Sequence, residues 1–237
     1  MTKKPIGKDF WNSGAVKAVF RADASEEVTL HRPLAKIIRS FHPKRLLDFG
    51  CGDGALLTSL DPRLEIHLYD RNLASATMAK QKSQSPRTHL HSSLASIPTN
   101  HYDIVVLSFV LICLPSTDEL LRVLRRIKSF LRNGGTLIVA ECHPCFRDRR
   151  FAGHHVAYTR DARFNYNARF HKIAVCLHGY GEQVTFYDYH WTLPDIINTV
   201  AQSGLAVHQL HEVRDTDYGG RPANLHFPPY LVICAKK

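Results

Sequence analysis

Apolar residues recur along this chain in two alternating rhythms. Up to about Phe41, Val28, Leu30, Leu34, Ile37, Ile38 and Phe41 fall at near-helical spacing, with Pro33 placed to open a helix. Short apolar runs then alternate with amphipathic stretches. The runs predict strands at Arg45 to Phe49, Glu65 to Tyr69, Thr88 to His91, Asp103 to Leu107 and Gly135 to Ala140. The clearest helix spans Ser116 to Leu131, with Leu120, Leu121, Val123, Leu124, Ile127, Phe130 and Leu131 as its apolar face and Asn133-Gly134-Gly135 as its stop. Strands alternating with helices predict a parallel sheet covered on both faces.

The rhythm breaks after Glu141. Residues 142–182 are rich in His, Arg, Phe and Tyr without a clean period. Regularity returns at Val184 to His190, followed by a capped helix start at Thr192-Leu193-Pro194-Asp195. Two further strands are expected at Ala206 to His211 and Tyr230 to Cys234. The expected organisation is an N-terminal helical cap (1–42), a core domain (43–141 and 183–237) and an inserted lid or substrate-binding segment (142–182).

The strongest local signal follows the first strand. Leu46 and Leu47 lead into Asp48-Phe49-Gly50-Cys51-Gly52-Asp53-Gly54, a glycine-rich turn expected to open a helix. Glycines there allow a tight turn and let backbone N–H groups approach a ligand. Asp70 ends the next strand, twenty positions beyond Gly50 (70 − 50), where a carboxylate can grip the hydroxyls of a ribose. Gly50 to Ala55 also satisfies the looser dinucleotide pattern G-x-G-x-x-G/A. Asp48 weighs against that option: its charge is unwelcome beside a pyrophosphate and suits a cationic ligand.

Bulk composition narrows the picture further. The chain has 237 residues, 44% of them hydrophobic, enough for a sizeable core. No run approaches the ~20 apolar residues of a membrane helix, and no apolar signal core follows the basic Met1 to Pro5, so a cytoplasmic protein without membrane partners is expected. The six cysteines form no secreted disulfide framework. Cys142-His143-Pro144-Cys145 has half-site spacing for zinc but lacks a second pair, so no metal is expected. The net charge of +10 raises nucleic acid as a partner. Its basic residues lie in short clusters, Arg122 to Lys128 and Arg147 to Arg150, which read as solvated faces.

From about Pro43 onward the sequence resembles the class I S-adenosylmethionine-dependent methyltransferases. Leu46 to Gly54 is similar to the family's first motif, Asp70 to its ribose-binding acid, and Tyr102 to Pro115 to its fourth strand and following loop. Leu131 to Glu141 is similar to its Gly-Gly turn and fifth strand, and the segments Tyr189 to Leu193 and Pro228 to Val232 to tails of its small-molecule members. The resemblance implies an α/β fold with a doubly wound, seven-stranded, mainly parallel sheet, an antiparallel last strand, and the insertion between the fifth strand and the last helix. It implies S-adenosyl-L-methionine as cofactor, S-adenosyl-L-homocysteine as product, and Asp48, Gly50, Cys51, Gly52, Gly54, Asp70, Arg71, Ser93, Leu94, Ser108 and Phe109 as cofactor contacts. Ser92-Ser93-Leu94 departs from the acid often found beside adenine, and Ile112-Cys113 from a polar residue often found near the transferred methyl.

Substrate contacts are then expected from Glu141, Tyr187 and Tyr189. His143 and His190, at the two ends of the insertion, are the candidate general bases. The insertion's Phe146, Phe151, Tyr158, Phe164, Tyr166, Phe170 and Tyr180 suit an aromatic pocket or their own packing. The expected activity is methyl transfer to an oxygen or nitrogen of a small aromatic or heteroaromatic metabolite, in biosynthesis or secondary metabolism. RNA or tRNA methylation and cofactor binding without turnover are the alternatives. Oligomeric state is open.

Overall fold

The computed structural model describes residues 30–147, 149, 165–179, 182–214 and 226–237. Helix α1 (Arg32–Ser40) precedes β1 (Arg45–Phe49), β2 (Glu65–Tyr69), α2 (Leu73–Lys82), β3 (Thr88–His91) and β4 (Tyr102–Ser108). Next come α3 (Thr117–Phe130), β5 (Leu131–Cys142), β6 (Lys172–Gly179), β7 (Glu182–Tyr189), α4 (Leu193–Gln202), β8 (Ala206–Val213) and β9 (Tyr230–Lys236). Seven strands form one sheet in the order β3-β2-β1-β4-β5-β9-β8. The first five are parallel, and β9 runs antiparallel between β5 and β8. The doubly wound α/β sheet with its antiparallel last strand is therefore present as expected.

Both faces of the sheet are buried, which explains why its central strands read as continuous apolar runs rather than alternating ones. Leu46, Ile66, Leu68, Val106 and Ile138 pack with Leu34 and Ile38 of α1 and Ala76 and Ala79 of α2. Their strand neighbours Leu47, Val105, Leu107, Leu137 and Val139 pack with Leu120, Leu124, Ile127 and Phe130 of α3 and Ile196 and Val200 of α4. Side-chain caps hold the helix starts: Ser116 Oγ accepts from the Glu119 N–H, and Thr192 Oγ1 from the Asp195 N–H.

Three local readings change. The glycine turn opens a five-residue 3₁₀ helix, Ala55–Ser59, and not an α-helix. Asp61-Pro62 follows at once, and proline pushes the residue before it out of helical geometry. Asn133-Gly134-Gly135 does not stop α3; that helix ends at Phe130, and the glycines lie inside β5, where the ladder to β4 shifts register between Tyr102 and Ile104. Finally, residues 172–189 contain two regular strands: β6 and β7 pair antiparallel in a separate two-stranded sheet. The expected cap falls outside the described residues up to position 29, as do Phe151, Tyr158, Phe164 and Tyr180 of the insertion.

Gly54 shows why the turn needs glycine at one position in particular. Its φ is +82°, and a Cβ there would lie 2.7 Å from the Ala79 Cα of α2. Gly54→Ala should cost about 2–4 kcal/mol, combining left-handed strain with overpacking against helix backbone. Gly134 also has positive φ (+71°), but its added Cβ would meet only the Arg132 side chain at 3.8 Å. Gly134→Ala should therefore cost only about 1–2 kcal/mol. Urea unfolding of both variants checks this, and equal losses would remove the packing argument.

Candidate active site

The glycine turn is tied to the end of β2. The N–H groups of Gly50 and Cys51 both donate to the Tyr69 carbonyl, at 2.7 and 3.1 Å. Asp70, the next residue, accepts from the Gly52 N–H at 2.9 Å through Oδ2 and from the Asn72 N–H at 2.7 Å through Oδ1. Asn72 in turn caps α2 by accepting from the Ser75 N–H. A single carboxylate thus fixes the turn, the strand end and the following helix relative to one another. Asp48 is buried behind them, and burial followed by repulsion from Asp70 pushes its carboxyl up to about 7.

The remaining cofactor residues expected from the sequence divide by environment. Cys51 is buried, and burial pushes its thiol well above the usual range, so it packs as a neutral group. Phe109 takes a left-handed φ of +54° just past β4, its N–H bonded to the Ala140 carbonyl and its ring set against Tyr230. Ser108, at the end of β4, has a buried hydroxyl oxygen with no hydrogen-bond partner among the described residues. Arg71, Ser93 and Leu94 are exposed, and Ser93 makes no side-chain cap to the 3₁₀ turn it precedes.

A second constellation lies beyond the ends of β4 and β5. Glu141 Oε1 accepts from the Leu111 N–H at 2.7 Å, and the Trp191 indole donates to the Leu111 carbonyl at 2.8 Å. One residue from β5 and one following β7 thereby clamp the loop after β4. Glu141 is buried, which pushes its carboxyl up to about 8, and its Oε2 has no hydrogen-bond partner among the described residues. Together with Leu111, Ile112, Cys142, Pro144, Arg147, Tyr189, Trp191 and Ile196, Glu141 lines a narrow recess. Arg147 and Asp188 form a buried ion pair at the recess wall, Nη2 to Oδ2 2.8 Å.

The structure brings Glu141 and Tyr189 to this recess but not the two histidines. His143 turns toward β8: its Nε2 lies 3.3 Å from Glu212 Oε1, and its Nδ1 accepts from the Cys145 N–H. His190 places Nε2 2.8 Å from the Tyr166 carbonyl. Burial lowers both imidazoles below their ordinary value. Tyr187 also stays outside the recess, its ring carrying the Lys172 ammonium at 4.3 Å. The described insertion aromatics pack internally, Phe146 against His143 and Phe227 and Phe170 edge-on to Trp191.

Sequence reasoning missed Arg147, Asp188 and the clamping role of Trp191. Arg147 sits in a run of basic residues that reads as a solvated face, yet it is buried. A salt bridge across 41 positions leaves no local spacing signal.

A doubly wound sheet, a glycine turn at the end of its first strand and an acid at the end of the second define a nucleotide-cofactor-binding α/β protein. Residues 23–187 match the family described as the methyltransferase domain, and the chain belongs to that family. It is a class I S-adenosylmethionine-dependent methyltransferase. Over 57% of its length the chain is 29% identical to the nonribosomal peptide synthetase CymA of Salinispora arenicola, of which it spans only 2%. The CcbJ methyltransferase of Streptomyces caelestis has a similar fold, with a TM-score of 0.67 at 15% identity, covering 97% of this chain and 98% of that one. So does the magnesium protoporphyrin IX methyltransferase of Synechocystis PCC 6803, with a TM-score of 0.63 at 17% identity over 97% of each chain.

The residues present fit the cofactor. The Asp48 carboxyl, raised to about 7 by burial and then by repulsion from Asp70, marks a site short of positive charge, and the sulfonium ligand is cationic. Asp70 offers acceptor oxygens for hydroxyls, and Ser108 Oγ is a buried polar atom without a partner.

Proposed function

We propose that this methyltransferase acts on an oxygen or nitrogen of a small, flat aromatic or heteroaromatic metabolite in a cytoplasmic biosynthetic pathway, and that the acceptor enters the recess at Glu141. The observation that carries this reading is the unpartnered Glu141 Oε2 in a recess walled by Tyr189 and Trp191. The recess is narrow, with room for little more than the acceptor's polar atom, which Glu141 Oε2 would meet. Cys142, Pro144 and Arg147, with Tyr189 of β7, serve as the acceptor-side wall.

When bound, the cofactor supplies an electrophilic methyl group. Asp48 and Asp70 hold and orient it through its charge and hydroxyls, with the glycine turn allowing close approach. Glu141 meets the acceptor through Oε2 and takes its proton, while the apolar wall excludes water. His143 and His190 act at a distance, holding the two ends of the wall.

Proton removal by Glu141 carries a pH signature. Its carboxyl is pushed up to about 8, so the basic form grows as pH rises and only about a tenth is present at pH 7. A general base worth ~10²-fold when fully ionised then contributes about tenfold at neutrality. Turnover should rise through pH ~8 in the wild type. Glu141→Gln should lose about tenfold at pH 7 and show a flat profile, with cofactor affinity unchanged. If Glu141→Gln keeps the rise and either His143→Gln or His190→Gln removes it, the base is that histidine.

The acceptor class is tested by incubating the chain with labelled S-adenosylmethionine and fractionated metabolite and RNA pools. Label should enter a small aromatic fraction. Label in tRNA, persisting near physiological salt, overturns the reading in favour of nucleic acid, to which the charge of +10 would then contribute. Cofactor binding with no label in any pool overturns it in favour of a binding protein.

A further inference from the structure

A group of imidazoles lies on the sheet well away from the cofactor turn. The parallel register of β2 and β3 sets His67 beside His89 and Tyr69 beside His91. Strand alternation puts Glu65, His67, His89 and His91 on one face, while Ile66, Leu68 and Leu90 face the core under α1 and α2. The apolar cluster beneath α3 and α4 takes no residue from β3, so that end of the face is filled by polar rings. His67 is buried there, whereas His89 is exposed.

The contacts are those of a ligand set with its supports. His67 Nε2 lies 3.1 Å from Glu65 Oε1, and the His67 and His89 rings are 4.7 Å apart. One donor atom each from Glu65, His67 and His89 falls within 4.8 Å of the others, the only such group of three among the described residues. On its other side, His67 Nδ1 sits 2.8 Å from His91 Nε2 and 3.0 Å from the Tyr102 hydroxyl. A metal-binding imidazole characteristically has its second nitrogen hydrogen-bonded in this way, which fixes ring orientation and tautomer.

We propose that Glu65, His67 and His89 bind a divalent first-row transition cation, with zinc the natural probe, and that His91 and Tyr102 orient His67 for it. Two imidazoles and a carboxylate are a donor set that zinc accepts, with water completing its shell. No net proton need leave His67. In the tautomer that carries the ring proton on Nδ1, donated to His91 Nε2, the Nε2 lone pair is available to the cation. Glu65 begins β2 and Asp70 follows its end, five residues or about 16 Å along a strand. The cation would therefore leave the chemistry untouched and fasten the edge strand β3 to β2.

The test uses the full, untagged chain after chelator treatment. Calorimetric titration with zinc alone should show one site per chain, and saturating zinc should raise the melting temperature. His89→Ala removes an exposed ligand, so the variant should fold and bind S-adenosylmethionine as wild type does. Its zinc affinity should fall at least about tenfold, and its melting temperature should no longer respond to zinc. Glu65→Gln should act in the same direction. Absence of a stoichiometric site in the wild type overturns the proposal. So does zinc affinity that survives His89→Ala and Glu65→Gln together, or that is lost on Cys145→Ser.

Discussion

Arg147→Met should destabilise the protein by about 3–5 kcal/mol, as the loss of one partner from a buried ion pair generally does. The guanidinium and the Asp188 carboxylate have side-chain exposures of only 4% and 3%. Removing the cation strands a carboxylate in low dielectric, close enough to Glu141 for the two to repel. The pair also joins the turn after β5 to β7, so its loss loosens the acceptor-side wall. A double replacement, Arg147→Met with Asp188→Leu, should recover most of the loss, since an apolar pair carries no desolvation penalty. Urea unfolding of the two single variants and the double variant closes the cycle. A single-variant cost below about 1 kcal/mol, the range of exposed pairs, would show that water reaches this contact.

Asp70→Ala should weaken S-adenosylmethionine binding by about 10²-fold or more. The carboxylate is the expected partner of the ribose hydroxyls, and each hydrogen bond to a charged group is worth roughly 1.5–3 kcal/mol. It also holds the turn through Gly52 and α2 through Asn72, so alanine removes organisation as well as contact. Asp70→Asn keeps an acceptor oxygen for Gly52 and should lose less. Both changes delete the charge that helps raise Asp48, whose carboxyl should then ionise at lower pH. Calorimetric titration with the cofactor, with NAD as the contrasting ligand, reads the effect. Unchanged affinity in Asp70→Ala, or tight NAD binding by the wild type, would remove the assignment.

Most of the sheet was readable from local pattern, and the reason is its depth of burial. Arg45–Phe49 and Glu65–Tyr69 begin and end where the runs do, their central residues buried, while Thr88–His91 is a partly exposed edge strand with the expected bounds. The cofactor turn was equally legible, since it depends on glycines and an acid at fixed spacing. Legibility fades where contacts are distant in sequence. Lys172–Gly179 was not recognised as a strand, although Ile173, Ala174 and Val175 are buried, because it lies in a stretch whose His, Arg, Phe and Tyr content shows no clean period. His143 and His190 were placed by topology at the right edge of the sheet, but their side-chain partners, Glu212 and the Tyr166 carbonyl, leave no trace in spacing. Ile112 and Cys113 drew notice as missing polar groups. The polar atom near that loop comes instead from Glu141, on the adjacent strand.

The hairpin of β6 and β7 shares no hydrogen-bonded ladder with the seven-stranded sheet. A strand within the large sheet cannot gain or lose a residue without turning its inward side chains outward. The hairpin has no such ladder to the large sheet, and its facing is set instead by buried side chains such as Val175, Phe186 and Asp188. Over evolutionary time it can lengthen, shorten or change its side chains while the cofactor half stays as it is. New acceptors would then be explored by rewriting one separable segment of the gene, with ancestry preserved in the glycine turn and diversity gathered between β5 and α4.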